Sequence, residues 1–163
     1  MNITKTIIIN QSADHVWQVV GDEFDQAHVW MSFVKNSYAL EQPAKLDDAP
    51  MAGRVCRFGD DENATYAEEI ITRYDAQNRT IEFTVIPKNA GFLPIVQNKV
   101  KIKVDAVGAN KSQVTWVSEP ELKTFGKLIS PLLKFGLGKS FNDVLNELKG
   151  YCETRFSAAA ATA

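Results

Sequence analysis

An α+β domain, with an antiparallel sheet wrapped around one long C-terminal helix, follows from three features of this 163-residue chain. The first is an apolar stripe near the C-terminus. Leu133, Leu137, Phe141, Val144, Leu145, Leu148, Cys152 and Phe156 recur at spacings of three and four, the period that gathers side chains on one helix face. The second is a series of strand-like runs at 54–59, 64–74, 79–87, 96–107 and 112–119. The third is the shortness of the connections at 75–78 and 108–111, which fit antiparallel hairpins because a parallel crossover needs many more residues. A helix over Ser130–Phe156 would be about 39 Å long at 1.5 Å per residue. It needs a broad apolar partner, and the dry face of a sheet of about six or seven strands supplies one.

In chain order, residues 2–10 read as a strand rich in isoleucine and threonine. Ser12 offers an N-cap for a short helix through Val20 that ends at Gly21. A second helical turn covers Phe24–Trp30, and Val34–Gln42 is extended. Pro43–Gly53, with Asp47, Asp48 and Pro50, reads as a loop. In the strands that follow, Ile81, Phe83 and Val85 share one phase against Thr80, Glu82 and Thr84. Val96, Val100, Ile102, Val104 and Ala106 oppose Lys99, Lys101, Lys103 and Asp105. Such a sheet has one wet and one dry face. Ser130 and Pro131 mark the start of the long helix, since proline has no N–H to leave unpaired in a first turn. Residues 1–156 form one domain on this reading, and 157–163 (Ser-Ala-Ala-Ala-Ala-Thr-Ala) are expected to be a disordered, frayed tail.

Composition sets bounds on function. A net charge of −2 and a pI near 5.7 give no electrostatic reason to expect a nucleic-acid partner. The row of Lys99, Lys101 and Lys103 lacks interleaved aromatics and reads as a solvated face. Two distant cysteines, Cys56 and Cys152, make no disulfide framework. The N-terminus lacks the features of a signal peptide and no run spans a bilayer, so the default expectation is a cytoplasmic protein. Nothing in the sequence sets an oligomeric state.

Motifs for catalysis or metals are sparse. His15 and His28 have none of the spacings of a metal site, so neither a metal nor a cofactor is expected. Phe135-Gly136-Leu137-Gly138-Lys139-Ser140 superficially resembles a phosphate-binding loop, but Leu133 stands where the pattern needs glycine and the stretch lies inside a helical pattern. The two glycines read instead as places where something approaches the helix closely. Cys56, among Val55 and Phe58 on a strand, reads as a buried inert thiol. Two polar residues fall in the inward phase: Glu69, with Ala67 and Ile71, and Asn98, with Val96 and Val100. Each needs a partner or a wet cavity. Arg57 or Tyr66 would serve Glu69 structurally, and a ligand would serve it functionally.

The order of elements resembles that of the START-like (SRPBCC) helix-grip superfamily, which includes the Bet v 1-like and polyketide cyclase/dehydrase-like proteins. Local patterns carry the resemblance too: Ala13-Asp14-His15-Val16-Trp17 with Gly21-Asp22, Phe24 and Trp30; Gly53-Arg54; Glu69 six residues before Asp75; Leu93-Pro94 with Asn98; and Val114-Thr115-Trp116. The chain departs from the pattern at Met31-Ser32 and at Lys99. The resemblance implies an apolar cavity between sheet and helix that takes a small hydrophobic ligand, lipid-like or polyketide-like. Trp30, Ile71, Phe83 and Trp116 would line it from the short helices and the strands, and Leu137 and Phe141 from the long helix. Glu69 and Asn98 would be its polar anchors. Phe92 and Leu93, on the apolar-tipped loop Ile86–Ile95, would cover the entrance. An aromatase/cyclase-like enzyme and a co-chaperone-like interaction module are the alternatives, and no catalytic residue is assigned.

Overall fold

The computed structural model describes residues 2–124, 126 and 130–161; side chains at 130–135, 137, 139 and 159–161 lie outside that description. Seven strands form one antiparallel sheet: β1 (Ile3–Ile9), β2 (Asn36–Ala39), β3 (Gly53–Arg57), β4 (Tyr66–Asp75), β5 (Thr80–Lys88), β6 (Ile95–Gly108) and β7 (Lys111–Leu122). Their spatial order is β1-β7-β6-β5-β4-β3-β2. From β2 to β7 each strand pairs with the next in sequence, and β1 closes on β7. A register shift between Ile71 and Arg73 bends β4 against β5. Such a bulge adds curvature, which a sheet needs to wrap around a helix.

The inward face holds the buried residues of alternate positions. Ile81 and Phe83 on β5, Val100, Ile102 and Val104 on β6, and Val114 and Trp116 on β7 belong to the core. Lys101 and Lys103 point outward and pair with Glu82 at 3.5 Å and Asp105 at 2.6 Å. The helix α2 (Ser130–Ala161) lies on the inward face; the capping side chains expected at Ser130 and Pro131 lie outside the described residues. Val144, Leu145, Leu148 and Cys152 bury its stripe.

The structure differs from the sequence reading in three places. The first helix, α1 (Ala13–Trp17), is shorter than expected; Ser12 Oγ accepts from the His15 N–H at 3.2 Å, and the chain runs on as a wide helical turn over Gln18–Asp22. Gly21 is therefore not a helix stop. A Cβ there would stand 2.6 Å from the Trp17 indole, so glycine makes room for a buried ring. The helix continues past Phe156 through Ala161, and residues 162 and 163 of the expected tail lie outside the described residues. Alanine has the best helix propensity, and Gln11 Nε2 donates to Ser157 Oγ at 3.2 Å. Finally, Gly136 faces open space, with nothing within 4 Å of a Cβ placed on it; only Gly138 has a neighbour, Lys5, at ordinary contact distance.

Candidate functional site

Gly53 sets the geometry of one side of the inward face. A Cβ at this position would stand 2.1 Å from the Glu69 carbonyl oxygen, so only glycine lets β3 close on β4 here. The register then places Arg54 opposite Glu69. Arg54 Nε and Nη2 both reach Glu69 Oε2, at 2.8 and 2.7 Å, and Nη1 donates to the Phe24 carbonyl at 2.7 Å. Both side chains are buried. The partner of Glu69 is thus Arg54, where the sequence pointed to Arg57 or Tyr66. Those two face one another elsewhere, with the Arg57 guanidinium 5.8 Å from the Tyr66 ring, and Arg57 donates to Asp61 O. The available signal was a charged residue in the inward phase, two before Cys56.

One cross-strand row runs Arg54–Glu69–Val85–Asn98–Pro120. Glu69 and Asn98 do share a face, separated by Val85 and a full strand. Asn98 is half-buried, and its Oδ1 accepts from Ser118 Oγ at 2.9 Å. The next row holds Ile71, Phe83, Val100 and Ser118. Aromatic rings continue across it towards the helix. Phe24 meets Phe83 edge-on at 5.0 Å, Phe83 meets Trp116 at 6.4 Å, and Trp116 meets Phe141 of α2 at 6.1 Å. The Arg54 guanidinium lies 4.0 Å over the Phe24 ring at the far end. Trp116 is 5% exposed, and its Nε1–H has no hydrogen-bond partner among the described residues.

Phe141 also borders a cleft of about 580 Å³ lined by Ser32, Phe33, Ser140, Asp143, Val144 and Glu147. Glu147 accepts from both the Ser32 N–H, at 3.0 Å, and Ser32 Oγ, which ties the loop after the short helices to α2. Phe33 stands 50% exposed at this opening and stacks on Phe58 at 6.0 Å. Another groove crosses the outer face among Glu82, Thr84, Lys99 and Lys101; its ion-paired charges belong to the wet side of the sheet.

The remaining candidates divide plainly. Trp30 is buried in the core at the end of the short helical turn Phe24–Val29. Phe92 is 73% exposed at the tip of a turn closed by Leu93 N–H to Ala90 O at 2.9 Å, and Leu93 is half-buried. Lys123 Nζ donates to Gly91 O at 3.2 Å and holds this loop against the chain leaving β7. Leu137 lies on α2, but its side chain falls outside the described residues. Burial pushes the Cys56 thiol up to about 12, against the pull of the Arg54 charge, so it is a poor nucleophile. His15 stacks on Phe156 at 4.1 Å, and His28 Nδ1 lies 2.8 Å from Ser37 Oγ.

Comparison with known structures matches the fold along nearly the whole chain. A START superfamily protein from Mycobacterium smegmatis superposes with a TM-score of 0.75 at 15% identity, covering 94% of this chain and 97% of its own. Ara h 8.0201 gives 0.71 at 14% identity, covering 95% and 99%. The Zhui aromatase/cyclase from Streptomyces sp. R1128 gives 0.69 at 17% identity, covering 98% and 97%. At these identities the likeness is one of fold. No curated protein sequence matches. The family described as "Polyketide cyclase / dehydrase and lipid transport" matches residues 1–153, so the chain belongs to that family, and its seven-stranded sheet closed on α2 is the helix-grip fold that these structures share.

Proposed function

We propose that this protein binds and carries a small hydrophobic molecule, lipid-like or polyketide-like, between the inward face of the sheet and α2. The position of Phe141 carries the reading. The ring lines the open cleft on one side and meets the buried Trp116 on the other, so it stands between solvent and the aromatic series. An apolar pocket with a few convergent polar groups is the usual form of a small-molecule site. Ile71, Phe83, Trp116 and Phe141 supply apolar walls, with Trp30 behind them. Phe92 and Leu93 shield the far rim. Asn98 and the Trp116 N–H are the polar groups with capacity to spare. Glu69 belongs to the wall, because Arg54 occupies its Oε2.

The same pairing disfavours an aromatase/cyclase reading, which requires an acid–base set converging on the substrate. Native mass spectrometry after gentle purification tests the proposal. The expected result is a co-purified apolar mass, or, after its removal, binding of one equivalent of N-phenyl-1-naphthylamine, a neutral hydrophobic fluorophore. Phe141→Ala should alter that affinity severalfold. Absence of both signals, with capture of a protein through the exposed Phe33 and Phe92, would favour an interaction module instead.

A further inference from the structure

Beyond the aromatic series, β1 and β7 bring two hydrogen-bond donors together on the inward face. Lys5 stands directly opposite Trp116 in the antiparallel register, so their side chains share the face that looks at α2. Their Cβ atoms are therefore about 5 Å apart. An ammonium and an indole N–H donate and cannot accept. The Trp116 donor is buried without a partner among the described residues, an unfavourable condition that an acceptor on a ligand would relieve. Lys5 Nζ lies 3.8 Å from where a Cβ on Gly138 would be, so the missing side chain at 138 leaves room beside the ammonium. Phe141, one turn further along α2, covers the Trp116 ring. A cleft of about 390 Å³, lined by Asn2, Ile3, Thr4, Lys5 and Gly138, opens at this point.

Among the described residues of β1 and β7, no carboxylate shares the inward face with this pair. The inward neighbours of Lys5 on β1 and β7 are Ile3, Ile7, Val114 and Ser118, besides Trp116. On these two strands the inward neighbours of the pair thus carry no negative charge to compete with an anion.

We infer that Lys5 and Trp116 hold the carboxylate of an amphiphilic acid. One oxygen accepts from Trp116 Nε1–H and the other faces the Lys5 ammonium, while the apolar body lies along Phe83 and Phe141. This rests on the carrier reading and narrows it to a hydrophobic monocarboxylic acid in place of a neutral lipid.

Displacement of N-phenyl-1-naphthylamine by dodecanoate, 1-dodecanol and dodecylamine tests the assignment in the wild type, Lys5→Met and Trp116→Phe. Dodecanoate should bind the wild type at least about tenfold more tightly than dodecanol, a difference of about 1.4 kcal/mol, and dodecylamine should bind most weakly. Lys5→Met should abolish that preference and leave dodecanol and the fluorophore unchanged. Trp116→Phe keeps a ring and removes the N–H, and should weaken the acid severalfold more than the alcohol. Melting curves establish that each variant is folded, and Lys5→Met decides alone if Trp116→Phe is not. Equal binding of acid and alcohol to the wild type would overturn the inference and leave the carrier reading standing. Equal weakening of both by Lys5→Met would do the same. Failure of the fluorophore and all three amphiphiles to bind would sink both.

Discussion

Arg54 and Glu69 are the residues on which the inner face turns. Burying two charges is tolerated because the guanidinium spends its donors on Glu69 and the Phe24 carbonyl and lays its plane over the Phe24 ring. Removing one partner leaves the other charge dry. Arg54→Met should therefore cost about 3–5 kcal/mol in denaturant unfolding, and Arg54→Met with Glu69→Leu should recover most of it. An equal loss in the double variant would show that the pair is not the cause. The sequence showed Glu69 facing inward, but not its partner, because the cation opposite depends on strand register and a one-residue slip exchanges the faces. Thiol chemistry gives a second check. Burial raises both Cys56 and Cys152 to about 12, so neither should react with iodoacetamide at about pH 8 until the protein unfolds.

Between elements, glycines and ion pairs fix how the strands and helices meet. Gly53→Ala would drive a methyl group into the Glu69 carbonyl and separate β3 from β4. A loss of about 3 kcal/mol or more is expected in thermal or denaturant melts. Phe92→Ala, on an exposed loop tip, should stay within about 0.5 kcal/mol of the wild type while changing fluorophore uptake. Glu23 joins the short helices to α2 through Arg155, at 2.5 and 2.9 Å. The Arg155 guanidinium holds the Glu23 carboxyl below its ordinary value of 4.5, against the opposing effect of burial. A lowered folded-state value means the contribution is complete above the unfolded value and fades as pH falls through the folded one. As pH falls below the ordinary value of 4.5 the wild type should thus lose more stability than Glu23→Gln, as measured by melting temperature. Strand phases and the apolar stripe of α2 over Val144–Cys152 were legible because period is local. Gly21 was not: a glycine that ends a helix and one that makes room for Trp17 leave the same mark in a sequence.

At the scale of the molecule, α2 closes the dry face of the whole sheet, and this was legible from the lengths and order of the elements. The candidate site was less so. The inward phase identified Ile71, Phe83 and Asn98, and the family resemblance Trp116, but the indole N–H without a partner among the described residues and the cleft beside Phe141 arise only where three distant segments meet. The central claim is that an apolar ligand enters against this ring series. The three tryptophans, Trp17, Trp30 and Trp116, give three indole N–H signals in a ¹H–¹⁵N spectrum, and Trp116→Phe identifies one. On titration with N-phenyl-1-naphthylamine, the Trp116 signal should shift strongly to saturation at one equivalent, with Trp17, packed on Tyr74 away from the rings, moving least. A saturating titration that leaves the Trp116 signal in place, or shifts only outer-face residues such as Lys99 and Lys101, would contradict the account.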